Sequence, residues 1–163
     1  MLNIDHKLVD VEQTQDEFGY TITIKHREVE IEITRSDDIY DVRAAASCCV
    51  ADVAFKASAT TVNDAIEAIK AKASYALIAY ANALKAFAGS IAKKAIHVDD
   101  FDVAAFAAMI AIDEIKASMY TLADLADMLG LADEKREIVN MADSLDDVKD
   151  ELKIYAIGSL FGP

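Results

Sequence analysis

The sequence predicts an α+β protein that is predominantly helical, with an N-terminal antiparallel β-hairpin or three-stranded sheet followed by an alanine-rich bundle of four to six helices. Residues 19–35 alternate between apolar and polar side chains, as a strand with one buried face does. From residue 36 onward, apolar residues recur every three or four positions, which is typical of helices. The only proline is Pro163, so no helix is interrupted by proline. We expect a single domain over residues 1–163, with the strands in 1–35 and the bundle in 36–163.

The hairpin follows from the alternation on both sides of a tight turn at His26-Arg27. This turn puts the apolar side chains on one face in three predicted pairs: Ile24 with Val29, Ile22 with Ile31, and Tyr20 with Ile33. Leu8, Val9 and Val11 can supply a third strand. Because a two-stranded ribbon is marginally stable, it should pack against the helices or add to the sheet of a neighbouring protein. The expected strand-edge contacts are Ile22, Ile24, Val29, Ile31 and Ile33.

The helices are predicted from apolar seams and capping residues. Ser36-Asp37-Asp38 resembles the start of a helix, and Thr60-Thr61 resembles the start of the next one, with Asp64 as a capping partner. Asp99-Asp100 would cap a third helix, and Ser144 would cap the last one. The predicted helices cover 39–58, 62 to about 94, 101 to about 119, 121–129 ending at Gly130, 132–142 and 145–158.

Residues 73–92 carry almost no charge, since Lys85 is the only ionisable side chain that they contain apart from tyrosine. A helix that is apolar all round must be covered by protein or by lipid. Lys85 would be costly near the middle of a bilayer, and the next apolar run, 103–112, is too short to return across one. We therefore expect a buried helix and no membrane partner. The predicted helix-packing or oligomer contacts are Tyr80, Leu84, Phe87, Ile91, Phe106 and Ile110; Phe106 and Ile110 belong, with Val103, to a second apolar face of the third helix.

Charge excludes some classes of partner and suggests another. The formal net charge is −13, from 16 basic and 29 acidic residues, which disfavours direct binding to nucleic acid or to an anionic membrane. Acidic residues recur at helical spacing and form a predicted acidic ridge of Asp143, Asp146, Asp147, Asp150 and Glu151, joined by Asp124 and Asp127 if the short helices pack side by side. This ridge either imitates nucleic-acid phosphates toward a basic partner or is a solvated face, and the solvated face is favoured.

Catalytic and metal-binding patterns are missing from the sequence. His6, His26 and His97 are far apart, and the five glycines do not group into a phosphate-binding loop. The adjacent Cys48 and Cys49 suggest neither a disulfide framework nor a metal site, and they favour a reducing compartment. We therefore expect no cofactor, no metal and no enzymatic activity.

The leading functional hypothesis is a non-enzymatic structural or assembly protein that works through protein–protein contacts and self-associates. Its location would be the cytoplasm or a particle assembled there. Phage head–tail connectors and head proteins include small proteins that combine a helical bundle with a β-hairpin, an analogy of architecture alone. One alternative is a small acidic inhibitor that occupies a basic, nucleic-acid-binding surface of a partner. Another is a helical bundle that binds an apolar ligand, with Tyr80 or Tyr120 as polar contacts.

Overall fold

A computed structural model describes residues 2–4, 9–17, 19–48, 50–97 and 101–160, without the side chains of 101, 102 and 155–160. Five antiparallel strands form a single meander in the order β1-β2-β3-β4-β5. They are β1 (Asp10–Gln15), β2 (Gly19–His26), β3 (Val29–Ser36), β4 (Ile39–Ala46) and β5 (Val53–Ala59). Three helices follow: α1 (Val62–Ala95), α2 (Phe101–Met128) and α3 (Ala132–Leu160). The α+β class is confirmed, but the sheet has more strands and the bundle fewer helices than predicted.

The hairpin of β2 and β3 exists with a register two residues away from the predicted one. Its turn is Arg27-Glu28, with Arg27 at a φ of 54°, and His26 pairs with Val29. Two-residue hairpin turns need such a positive φ. The observed pairs are Ile24 with Ile31, Ile22 with Ile33 and Tyr20 with Arg35. Because side chains alternate with a period of two, this shift keeps the apolar residues on one face.

A third strand exists but lies later in the chain than predicted: β1 contains Val11, Val9 precedes it, and Leu8 is outside the described residues. β1 runs antiparallel to β2, and Val11 is opposite Ile24. Gly19 begins β2 at a place where the backbone is very close to its neighbour: a Cβ there would lie 1.7 Å from the carbonyl oxygen of Arg35. Only glycine fits at this position without moving β3.

The prediction of a helix over 39–58 is wrong, because this segment forms β4 and β5. Asp37, interpreted as part of a helix cap, has a φ of 55° in the two-residue turn between β3 and β4. The same residues also alternate with a period of two, and Val42, Ala44 and Ala46 are buried on the helix-facing side of the sheet. Pairing with β3 therefore outweighs the helical preference of the alanines.

α1 matches its prediction closely. Thr61 is the N-cap, and its hydroxyl oxygen accepts a hydrogen bond from the Asp64 amide at 3.1 Å. Lys93 and Lys94 lie in the last turn, where their positive charges interact favourably with the helix dipole. The predicted cap of α2, Asp99-Asp100, lies outside the described residues.

The two breaks predicted in the C-terminal region do not occur. The Thr121 hydroxyl donates to the carbonyl of Ala117 at 3.2 Å, and the Ser144 hydroxyl donates to the carbonyl of Met141 at 2.6 Å. Each side chain thus bonds back to its own helix instead of capping a new one. As a result, 101–128 is one helix, and 132–160 is another.

Gly130 ends α2 as predicted. It has a φ of 77°, and the Leu131 amide donates to the carbonyl of Ala126 at 2.8 Å. This hydrogen bond and the left-handed glycine define a Schellman motif. The motif reverses the chain, so that α3 packs antiparallel to α2.

The molecule has three layers. The sheet packs on α1 and α2, and α3 packs on both of these helices. Polar contacts join the strands and the segments beside them to the helices at Lys72, Ser118, Asp124, Asp127 and Met128. We call the part of the bundle that faces the sheet the proximal half (62–80, 118–128 and 132–140) and the remainder the distal half (81–95, 101–117 and 141–160).

Candidate functional site

The distal half of α2 exposes three large apolar side chains on one face. Val103 is 64% exposed, Phe106 is 67% exposed and Ile110 is 47% exposed. The spacings of three and four residues place them in a line along the helix. We call these three residues the α2 stripe.

The α2 stripe exists because this part of α2 is apolar on both sides. Its other face buries Ala105, Ala108 and Ile112 against the bundle. Asp113 follows Phe106 by seven residues and therefore lies on the same side of α2, where it bonds to Lys149 of α3 at 2.6 Å. α3 thus passes beside the stripe, and the three stripe side chains stay exposed. Nothing in the described chain therefore covers the stripe.

A shallow apolar groove lies between the distal halves of α1 and α3. It has a volume of about 190 Å³ and is lined by Gly89, Ala92, Ile96, Val148 and Leu152, with Lys93 and Glu151 at its rim. A Cβ built on Gly89 would meet no atom within 4 Å, so the glycine leaves the groove open. We call this feature the α1–α3 groove. Sequence patterns did not predict it, because its two walls lie about 60 positions apart in the chain.

The predicted helix-packing or oligomer residues divide into buried and exposed sets. Leu84 is 4% exposed and belongs to the core, while Tyr80 and Ile91 are half-buried. Phe87 is 52% exposed on α1, and Phe106 and Ile110 belong to the α2 stripe. The exposed members are the ones that remain available for a partner.

Two members of the predicted acidic ridge, Asp143 and Asp146, lie in a seam between α2 and α3. The Tyr120 hydroxyl donates a hydrogen bond to Asp143, and Lys116 bonds to Asp146 at 2.7 Å. Lys149 of α3 reaches Asp113 of α2 at 2.6 Å. These three contacts are at successive levels of the antiparallel pair and link the two helices along their solvent side.

The pKa shifts along this seam follow from its hydrogen bonds. The hydrogen bond from Lys116 lowers the pKa of Asp146 and, in return, raises the pKa of the lysine. The hydrogen bond to Asp143 raises the pKa of the Tyr120 hydroxyl, and burial adds to that shift. Among the described residues, Asp147 and Glu151 are exposed and form no ion pair, whereas Asp150 pairs with Lys153 at 3.7 Å.

Asp124 and Asp127 do not join the ridge. Asp124 lies 3.5 Å from Arg27 in the β2–β3 turn. Asp127 is 9% exposed and is held by the Asn3 side chain at 3.1 Å and by Lys135 at 3.4 Å. Both carboxylates therefore fasten the end of α2 to other elements of the fold.

The residues predicted to make strand-edge contacts lie in the core instead. They are on β2 and β3, which are inner strands, whereas the edges of the sheet are β1 and β5. Four of them are buried and one is half-buried: Ile24 7%, Val29 1%, Ile31 0% and Ile33 9% exposed, with Ile22 partly covered. Two additional strands on one side explain the difference, because β4 and β5 pair where an open edge was expected.

A small cluster of polar side chains lies where α1 and α2 meet the loop after β4. The hydroxyls of Tyr80 and Ser118 are buried and have no hydrogen-bond partner among the described residues. The Cys48 thiol lies 3.8 Å from the Ser118 carbonyl oxygen. Burial, reinforced by Cys48 and Asp52, raises the pKa of Tyr80.

Two classes of site have no counterpart in the described part of the chain. Its helices include none with enough length and apolar character to cross a membrane. Its histidine, cysteine and acidic side chains include no group of three or more that could hold a metal ion.

Comparison of the sequence with models of protein families and with curated proteins, and of the structure with solved structures, finds no match.

Proposed function

We propose that this protein is a non-enzymatic assembly protein that self-associates through the distal half of its helical bundle. The observation that carries this proposal is the α2 stripe, in which Val103, Phe106 and Ile110 are each about half exposed or more. Large contiguous apolar patches on a protein surface mark interaction sites, and the stripe supplies three adjoining large apolar side chains for such a patch. The proposed location is the cytoplasm or a particle assembled there.

The energy available from covering the stripe is large enough to matter. Burying one large apolar side chain completely contributes about 1.5–3 kcal/mol. Three such side chains, together with neighbouring Ala107, can offset a substantial part of the entropy that is lost on association. The net charge of −13 on each copy opposes association, so the apolar contact must also offset this repulsion.

The acidic ridge supports a basic partner less well than the stripe supports self-association. Asp143, Asp146 and Asp150 already have partners within the fold. A basic protein would have to compete with these lysines and with Tyr120. We therefore base the proposed function on the apolar surface.

Light scattering after size-exclusion chromatography tests the proposal. We expect the wild-type chain to show a mass above 17.7 kDa that rises with concentration. Phe106→Glu should return the chain to the monomer, because a carboxylate would have to lose its water in the interface. Tyr75→Glu is the matched control, since Tyr75 is 82% exposed on the proximal part of α1.

Circular dichroism of both variants checks that the helical content is unchanged. A wild-type chain that remains a 17.7 kDa monomer at every concentration would contradict the proposal. Equal loss of assembly in Tyr75→Glu and Phe106→Glu would also contradict it, because it would show that added charge alone prevents association.

A further inference from the structure

We infer that the α1–α3 groove is the acceptor for the Phe106 ring of a second copy of this chain, so that copies associate head to tail. This inference rests on the proposed function and goes further by naming both sides of the contact. The donor is the α2 stripe. The acceptor is the groove lined by Gly89, Ala92, Ile96, Val148 and Leu152.

The size of the groove suits one aromatic ring. A cavity of about 150 Å³ is large enough to bind benzene, and the groove measures about 190 Å³. Gly89 lines the groove, and a Cβ built there would meet no atom within 4 Å, so there is room at this position for a larger side chain. Phe106 is the most exposed of the three stripe residues, at 67%.

The positions of donor and acceptor determine the kind of assembly. All three helices pack on one another, so the groove between α1 and α3 faces away from α2. The α2 stripe points outward on the opposite side of the bundle, since its reverse face is buried. Two rigid copies cannot make both contacts with each other at once. The contact is therefore heterologous, and repeating it gives a ring or a filament rather than a closed dimer.

The α1 wall of the groove carries charge opposite in sign to that beside the stripe, while Glu151 lies on the α3 wall. Lys85 and Lys93 lie one helical turn before and after Gly89, and both are exposed without an ion pair among the described residues. Glu114, one turn beyond Ile110 on the donor helix, is also exposed without such a partner. Whichever way the stripe runs along α1, one of these lysines lies on the side that Glu114 approaches.

Filling the groove from within the chain tests the acceptor. Gly89→Leu places a side chain in the open volume, and leucine is a better helix former than glycine, so the fold should be kept or slightly stabilised. We expect the Kd of self-association to rise by more than about tenfold, the loss that corresponds to one unburied phenylalanine. Gly89→Ala is the control: it gains helix propensity but adds only a methyl group, and its Kd should change less than that of Gly89→Leu.

Mixing two defective variants tests the head-to-tail geometry. Phe106→Glu keeps its groove, and Gly89→Leu keeps its stripe. Each should be monomeric alone, and the two should form a one-to-one complex with twice the chain mass of 17.7 kDa and no larger species. Light scattering and native mass spectrometry of the mixture measure this directly.

The outcomes separate the inference from the proposed function. If Gly89→Leu assembles as well as the wild type while Phe106→Glu does not, the groove is not the acceptor, although self-association through α2 stands. Monomers that do not combine on mixing would likewise overturn the head-to-tail contact. A wild-type chain that never assembles would overturn the proposed function itself.

Discussion

The proximal and distal halves of the bundle are made from the same three helices but differ in how well they are covered. In the proximal half, Ile69, Leu77 and Leu122 are fully buried beneath the sheet and between the helices. The distal half has no sheet above it. Its large, fully buried side chains are fewer, among them Ile112, Ile115 and Leu145, and the rest of its buried residues include many alanines: Ala81, Ala88, Ala95, Ala105, Ala108 and Ala142.

This difference shows where stability and recognition are located in the molecule. Large buried side chains contribute more to the free energy of unfolding than alanines do. The proximal half has more of them fully buried than the distal half, so it contributes more to stability. Small side chains let the distal helices approach closely, and this leaves the larger apolar residues Phe87, Phe106 and Ile110 on the surface. The distal half is therefore the part that gains most from a partner.

The largest expected change in the free energy of unfolding comes from a substitution in the proximal core. Leu77→Ala should lower the free energy of unfolding by about 2–5 kcal/mol, because it removes a fully buried side chain and leaves a cavity. Phe87→Ala, at a 52% exposed distal position, should change it by about 0.5 kcal/mol or less. Urea denaturation on the Phe106→Glu background measures both values without a contribution from assembly.

Equal losses from the two substitutions would show that stability is spread evenly over the bundle. A larger loss from Phe87→Ala than from Leu77→Ala would reverse the comparison. It would mean that the Phe87 ring is covered in the isolated chain.

A smaller effect concerns the proximal start of α1. Thr61→Ala should cost about 0.5–2 kcal/mol of unfolding free energy, because the Asp64 amide loses its capping acceptor. Thr60→Ala is the control, since the Thr60 side chain is exposed and makes no hydrogen bond among the described residues. Thermal denaturation followed by circular dichroism compares the two, and identical midpoints for both variants would argue against Thr61 as the cap.

The smallest expected effect concerns the distal seam between α2 and α3 and its dependence on pH. The Lys116 hydrogen bond lowers the pKa of Asp146 from its ordinary value of 3.8, and Lys149 and Lys153 lower it further. A carboxyl whose pKa is lower in the folded than in the unfolded state stabilises the fold above its unfolded pKa. This contribution is lost as the pH falls from about 4 through the folded pKa.

Asp146→Asn should therefore flatten the dependence of unfolding free energy on pH below about pH 4 and lower stability slightly at neutral pH. Asp147→Asn is the control, because Asp147 is an exposed neighbour without an ion pair among the described residues. Urea midpoints measured between about pH 2.5 and pH 7 give both slopes. A slope for Asp146→Asn equal to that of the wild type would show that the seam pair does not contribute.

The sequence predicted the buried face of the hairpin but not its register. A shift of two residues leaves every side chain on the same face, so the alternation of Ile22, Ile24, Ile31 and Ile33 is satisfied by either pairing. The turn residues could not decide, because Arg27-Glu28 lacks the asparagine–glycine pattern that marks such turns. In the structure, the positive φ of Arg27 places the turn at Arg27-Glu28, and this turn sets the register of the hairpin.

The segment 36–59 shows how one pattern can satisfy two structures. Ser36-Asp37-Asp38 suits a helix cap as well as a hairpin turn, since aspartate tolerates the left-handed conformation that the turn requires. Alanines favour a helix when only local interactions count. Hydrogen bonding of β4 to β3 and of β5 to β4, between residues distant in the sequence, decides for the sheet.

The candidate site also has one feature that the sequence predicts and others that only the structure shows. The spacing of Val103, Phe106 and Ile110 predicts one apolar face on a helix, but only the structure shows that this face is exposed. The α1–α3 groove depends on which helices become neighbours, and no local pattern contains that information. The acidic ridge was visible as spacing, but Lys116 and Tyr120, the partners of Asp146 and Asp143, come from the facing helix.

By itself, the amino-acid order determined the properties that depend on near neighbours along the chain: the class of fold, the start and end of α1, the stop at Gly130 and the two-sided apolar character of α2. These follow from side-chain periodicity and from hydrogen bonds between residues a few positions apart. Only the tertiary structure decided which apolar faces are covered, because the sheet ends before the bundle does. Coverage depends on contacts between distant segments, and it leaves the distal half of the bundle open to a partner.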